Sequence, residues 1–298
     1  MTDTHGRTSS ARHILRREMP GTIGLLADEQ DFTEMRRYRT FTFDDHQAYL
    51  RQAEALLKSL AAAGGHTTVA LFDPEEYAEF CAETGLEPDT PSSRTRFTAE
   101  LAATGPSVPY EGQPLADLVP DLVEEAVRQA TWEYASSVLA RIGPCTLCGQ
   151  DLGRAAFARA SYLVARAIDT IGEGVHHWVC SVPTGRETLL ALLHIDATDP
   201  DTVRLDETAA MELTILLALA IAISKPCALV LRTVTPDSDR VYGWRLKDER
   251  LEQLTASQVF DAYCTDASSG ELKAPEPGVE YCTAPEVDDS DPEGRHQH

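Results

Sequence analysis

Apolar positions along this chain fall into two rhythms: steps of three and four, which mark amphipathic helices, and alternation or short apolar runs, which mark strands. Tyr49, Leu50, Ala53, Leu56, Leu57 and Leu60 follow the first rhythm and predict a helix entered at Asp44 or Asp45 and ended by Gly64-Gly65. The β-favouring run Tyr38-Arg39-Thr40-Phe41-Thr42-Phe43 before it and Thr67 to Phe72 after it read as strands. Asp73-Pro74-Glu75-Glu76 opens another helix, with a cap, a first-position proline and two carboxylates in the first turn. Tyr38 to Gly85 thus spells strand, helix, strand, helix, for which a right-handed parallel unit is expected.

Beyond a turn at Pro88 to Ser93, a helix is expected from Arg94 to Ala103, followed by a Gly- and Pro-rich crossing from Gly105 to Pro114. The longest helical pattern then runs from Leu118 or Asp121 to Ile142, with Pro120 in its first turn. Leu122, Val123, Val127, Ala130, Tyr134, Val138 and Leu139 are expected on its packed side. Asp151 caps a second helix from about Leu152 to Ile171. Strands are expected at His177 to Val182, Thr188 to Ile195, Cys227 to Val234 and Val241 to Leu246, with a helix over Asp206 to Ile223 among them. Thr235-Pro236-Asp237-Ser238-Asp239 makes the last two strands a hairpin. Leu213 to Ile223 is apolar apart from Thr214, but it is about half the roughly 20 residues a membrane span needs, so it reads as a helix buried in the core.

The expected fold class is α/β (or α+β): a mixed β-sheet covered by helices, with a long helical hairpin around residues 121–171. Residues 1–29 read as a flexible N-terminal arm in which Thr22 to Leu26 can pack as a short element. Residues 30–268 read as a single α/β domain with a possible sub-boundary near Pro106. Residues 269–298, rich in Pro, Glu and Asp, read as a disordered acidic tail.

Composition narrows the partners. Asp and Glu outnumber Lys and Arg by 48 to 26 in 298 residues, a formal charge of −22 that repels phosphate backbones and anionic membranes. No nucleic-acid or membrane partner is expected for the body of the chain; a protein partner or a homo-oligomer remains open. The N-terminus is polar and Arg-bearing, without the apolar stretch of a signal peptide, and the seven Cys are irregularly spaced and odd in number. Cytoplasmic localisation with reduced thiols is the expectation.

Candidate chemistry is concentrated between Cys145 and Cys180. Pro144-Cys145-Thr146-Leu147-Cys148-Gly149 and His176-His177-Trp178-Val179-Cys180 together spell a Cys-x2-Cys pair with His and Cys downstream, the soft ligand set of a zinc site. The candidate metal ligands are Cys145, Cys148, Cys180 and His177. An unbroken helix over residues 152–171 spans about 30 Å, so nine extended residues can bring Cys180 back to the pair. His176 cannot return that distance, and it lies about 13 Å from Cys180 along a strand. A fourth ligand would come from Cys227, Cys264, His194, or His177 in an interrupted strand.

Other readings of the same residues are a redox dithiol, two small thiols in a helix-helix turn, and half of the zinc deaminase signature, whose His-x-Glu half is absent from this chain. His194 and Asp196 share one face of a strand end and can serve as an acid/base pair or as the polar start of a loop. His176-His177 beside Cys180 can be written as a Cys/His nucleophile, and Arg94 and Arg96 beside Ser92 and Ser93 as an anion contact or a solvated helix start. No catalytic set is complete. The functional expectation is a non-enzymatic cytoplasmic binding or regulatory protein with a structural Cys cluster, possible zinc included; the alternative is a zinc-dependent enzyme acting on a small molecule.

Overall fold

The computed structural model describes residues 21–185, 188–199, 202–265 and 273–288. Among them are mixed β-sheets and eight helices, an α/β fold. The chain divides into two compact units, Met1–Gln129 and Ala130–His298.

In the first unit, β1 (Gly21–Leu25) is followed by α1 (Glu29–Met35), α2 (His46–Ala62), β2 (Thr67–Leu71), α3 (Pro74–Thr84), α4 (Pro91–Thr104) and β3 (Ser107–Pro109). The three strands form a sheet in the order β1-β2-β3, with β1 parallel and β3 antiparallel to β2. Each helix start is capped as its sequence demands. Asp28, Asp45 and Asp73 accept backbone N–H groups at their helix N-termini, and Gly85 ends α3 at a φ of 68°.

Two expectations are corrected here. The parallel partner of β2 is Gly21–Leu25, so residues 21–29 belong to the folded unit and not to an arm; residues 1–20 lie outside the described residues. Tyr38 to Phe43 forms no strand. Its β-favouring aromatics fill a core instead: Phe41 lies edge-on to Phe32 at 5.6 Å, and Phe43 edge-on to Tyr49 at 5.1 Å. The Thr40 amide donates to the Asp89 carboxylate at 2.8 Å, where a strand would use a ladder carbonyl. β-propensity measures side-chain fit to a half-buried surface, and a loop that packs aromatics satisfies it equally.

The longest helix, α5 (Leu115–Ile142), supplies Leu115, Leu118 and Leu122 to the core of the first unit and Ala135, Val138 and Leu139 to that of the second. It starts earlier than expected, which puts Pro120 inside the helix. Val123, Val127 and Tyr134, expected on its packed side, are exposed.

The second unit continues with α6 (Leu152–Thr170), β4 (Gly174–Pro183), β5 (Thr188–Asp199), β6 (Thr202–Leu205), α7 (Glu207–Ala222), β7 (Cys227–Val234), β8 (Asp239–Lys247), β9 (Arg250–Gln253), α8 (Ala256–Tyr263) and β10 (Val279–Tyr281). Its seven-stranded sheet runs β10-β8-β7-β4-β5-β6, with β9 also on β8. All pairings are antiparallel except that of β10 with β8. The apolar segment around Leu213 is α7, buried on nearly every side between α6 and strands β4 and β5. No described helix is long and apolar enough to cross a membrane.

The C-terminal segment corrects the expectation of a disordered tail for residues 273–288. β10 pairs with β8, and Ala284 and Val287 are buried in the core. Residues 269–272 and 289–298 lie outside the described residues.

Candidate functional site

β4 places its side chains alternately on two faces of the large sheet, and this alternation redistributes the expected metal ligands. His176, Trp178 and Cys180 point into the core shared with α6 and α7; His177 and Val179 point the other way. His177 and Cys180, three residues apart, are therefore on opposite faces and cannot share one ion. Cys180 is fully buried, with its sulfur 3.4 Å from that of Cys227 on β7. That thiol-thiol contact, and then burial, hold the Cys180 thiol well above its ordinary range.

Cys145 and Cys148 occupy a surface turn between α5 and α6. Gly149 N–H donates to the Cys145 carbonyl at 2.8 Å and Cys145 N–H to that of Gln150 at 2.7 Å, while Asp151 caps α6 through the Arg154 amide. Hydrogen bonding from the backbone N–H groups of Cys148, then Leu147, lowers the pKa of the Cys145 thiol. Of the four nominated ligands, the structure groups only Cys145 with Cys148. Cys180 goes to Cys227 and His177 to His194. Among the described residues no group of three or more His, Cys, Asp or Glu is placed to hold a metal ion. A zinc ion at the turn would find the two thiols as its ligands from this set.

His176 is buried, with Nδ1 2.9 Å from the Thr233 hydroxyl and Nε2 3.0 Å from the Gly172 carbonyl. It anchors the start of β4. Burial, followed by the neighbouring His177 and His194, lowers its pKa, and burial with the His194 and Arg232 charges does the same for His177. Depressed folded-state values mean stability that is complete above the unfolded imidazole pKa, about 6.5, and is lost as pH falls toward the folded values. The expected result is that acidification below about 6.5 weakens the second unit and that His176→Gln flattens this dependence. Imidazole titration by NMR together with urea melts across that range checks it; an ordinary or raised His176 pKa would refute it.

The outward face of the same strand carries the more extensive constellation. The register aligns His194 of β5, His177 of β4 and Arg232 of β7 in one row, and Leu192, Val179 and Val230 in the next. The two imidazoles meet at 3.3 Å between their Nδ1 atoms. Arg232 binds both oxygens of Glu276 at 3.0 Å and also the Asp239 carboxylate, an arrangement that favours its charged form. Asp196, expected beside His194 as an acid/base partner, instead accepts from the Thr198 hydroxyl at 2.6 Å and from its amide, which lower its pKa.

Leu192 is 56% and Leu190 47% exposed on this face. Among the described residues α8 lies against this face at β8, where a Cβ on Gly243 would meet Val259 at 3.3 Å, and its Tyr263 hydroxyl accepts from Arg232 of β7 at 3.4 Å. Arg232, Asp239 and Glu276 were missed by motif reasoning. The available signal was an arginine, the single charged residue of the strand, at an outward position. Arg94 meets the Thr40 hydroxyl and carbonyl in the first unit.

A cleft of about 710 Å³ lies elsewhere in the second unit, bordered by Lys225, Arg245, Lys247, Asp248 and Glu249. Glu252 already binds Arg245 at 2.7 Å and Lys247 at 3.2 Å, so two of its cations are engaged within the chain.

Fold and site thus define an α/β protein whose large sheet, among the described residues, keeps one face partly open, with a polar row beside an apolar one. Residues 10–113 are similar to a domain of unknown function (DUF8829). No curated protein and no solved structure matches the chain.

Proposed function

We propose that this is a non-enzymatic binding protein that takes a protein or peptide partner on the open face of β5, β4 and β7. The supporting observation is the outward apolar row of Leu192, which is exposed, and Val179 and Val230, which are half-buried, bordered by the His194–His177–Arg232 row. Contiguous apolar surface rimmed by polar groups is a hallmark of interaction sites. The apolar row supplies burial, and the imidazoles and the Arg232 cluster supply direction and selectivity. A homo-oligomer using the same face is the second form of this reading. Seven cysteines with no disulfide among them fit a reducing cytoplasm as the working compartment.

Panning a displayed peptide library against the purified chain, with sedimentation run in parallel, tests the proposal. Leu192→Asp is expected to weaken selected peptides, or self-association, by about tenfold or more while leaving circular dichroism unchanged. Equal binding by the variant would reject this face. Turnover of a metabolite in a hydrolase screen, lost in His194→Ala, would reject the non-enzymatic reading.

A further inference from the structure

We propose that Cys145 and Cys148 form a thiol–disulfide exchange site, in which the exposed turn between α5 and α6 reacts with a low-molecular-weight disulfide and closes as a Cys145–Cys148 disulfide. The site is separate from the open sheet face, and either reading can fail without the other.

Two observations carry it. The backbone bonds of Gly149 to Cys145 and of Cys145 to Gln150 fold the pair into one tight turn. That turn is at the surface, with Cys148 exposed, Cys145 half-buried and Leu147 between them 77% exposed. Hydrogen bonding from the backbone N–H groups of Cys148 and Leu147, which lowers the Cys145 pKa, agrees with them and singles out Cys145 as the attacking sulfur.

The remaining cysteines contrast with the pair. Cys180 and Cys227 are buried against each other, Cys81 and Cys264 are buried, and burial pushes the Cys282 thiol up. The two ligands that would have turned the pair into a closed metal site, Cys180 and His177, are committed to opposite faces of β4. What remains at the turn is a dithiol.

The chemistry balances with a disulfide RSSR as oxidant. The Cys145 thiolate attacks one sulfur, forming a mixed disulfide and releasing RS⁻. Cys148 gives up its proton to solvent and attacks the Cys145 sulfur, forming the internal disulfide and releasing the second RS⁻. Two protein thiols are oxidised and one external disulfide is reduced to two thiols.

Both cysteines fall in a single tryptic peptide, Ile142 to Arg154, which makes the test direct. The reduced full-length protein is equilibrated with graded mixtures of oxidised and reduced glutathione, quenched with acid and mapped by mass spectrometry. The expected product is that peptide lighter by two hydrogens, with the other cysteines still alkylatable. Cys148→Ser should accumulate one glutathione on Cys145. Cys145→Ser should slow reaction with an aromatic disulfide by about tenfold or more.

Persistence of both thiols in the most oxidising mixture, or no adduct in Cys148→Ser, overturns the proposal. So does a pair that alkylates only after a chelator strips zinc from the purified protein, because the turn would then be a metal ligand. Far-UV circular dichroism of both variants guards against misreading a folding defect, and the wild-type mapping needs no variant.

Discussion

Replacing Trp244 by alanine should lower the unfolding free energy of the second unit by about 3–5 kcal/mol, the range for truncating a fully buried large aromatic. The indole is completely buried at the centre of β8, 6.2 Å from the Trp178 ring, and its Nε1 donates to the Pro285 carbonyl at 3.0 Å. The deletion thus opens a cavity in the core and also unties the C-terminal segment, held otherwise by Gln253 donating to Ala284 and by the burial of Val287. Urea unfolding monitored by circular dichroism gives the magnitude, and hydrogen exchange over residues 279–288 gives the location. Trp244→Phe should cost less, because most of the apolar volume stays and one hydrogen bond, about 1 kcal/mol, is lost. A loss in Trp244→Ala below about 1 kcal/mol would show that β8 and the terminal segment do not share a core.

The second large effect is expected at Gly153, in the first turn of α6. A Cβ built there would lie 2.4 Å from the Leu139 carbonyl oxygen and 3.1 Å from its carbon, both backbone atoms of α5. A flexible side chain can move aside, but a helix backbone can yield only by separating the two helices. Gly153→Val should therefore destabilise the second unit by about 3 kcal/mol, the upper end of overpacking costs, and Gly153→Ala somewhat less. Helix propensity alone predicts the opposite sign for Gly153→Ala, a gain of up to about 1 kcal/mol. Thermal melts of the alanine variant decide between the two, since a raised midpoint would mean that the close approach of α5 and α6 is not maintained.

These two residues illustrate what was readable in advance. The capped helix starts at Asp45, Asp73 and Asp151, the buried character of α7 and the β7–β8 hairpin are local properties, and each was evident from residue type and spacing. Nothing in the local sequence singles out Gly153, because the carbonyl that requires it sits fourteen residues earlier in the chain. Thr22 to Leu26 was legible as a short element, but its parallel pairing as β1 (Gly21–Leu25) was hidden for a similar reason. It is five residues with a single large apolar side chain fully buried, and its pairing partner lies 46 residues downstream.

The thiols and imidazoles show the same division within the candidate site. Spacing identified Cys145 and Cys148 as a pair, since a four-residue turn brings them together whatever the rest of the chain does. Spacing also nominated Cys180 and His177 as their partners, because it measures how far a chain can reach and says nothing about the direction in which a strand turns its side chains. Neighbouring strands supplied that: Cys180 faces Cys227, and His177 faces His194 and Arg232.

The amino-acid sequence by itself determined the helices and their caps, the apolar core helix, the acidic charge and the dithiol turn, all set by interactions within a few residues. Tertiary structure alone decided which strands pair, which face of β4 meets the core, and where the C-terminal segment docks. Those outcomes depend on contacts between residues tens of positions apart, whose side-chain direction follows strand register and not sequence distance.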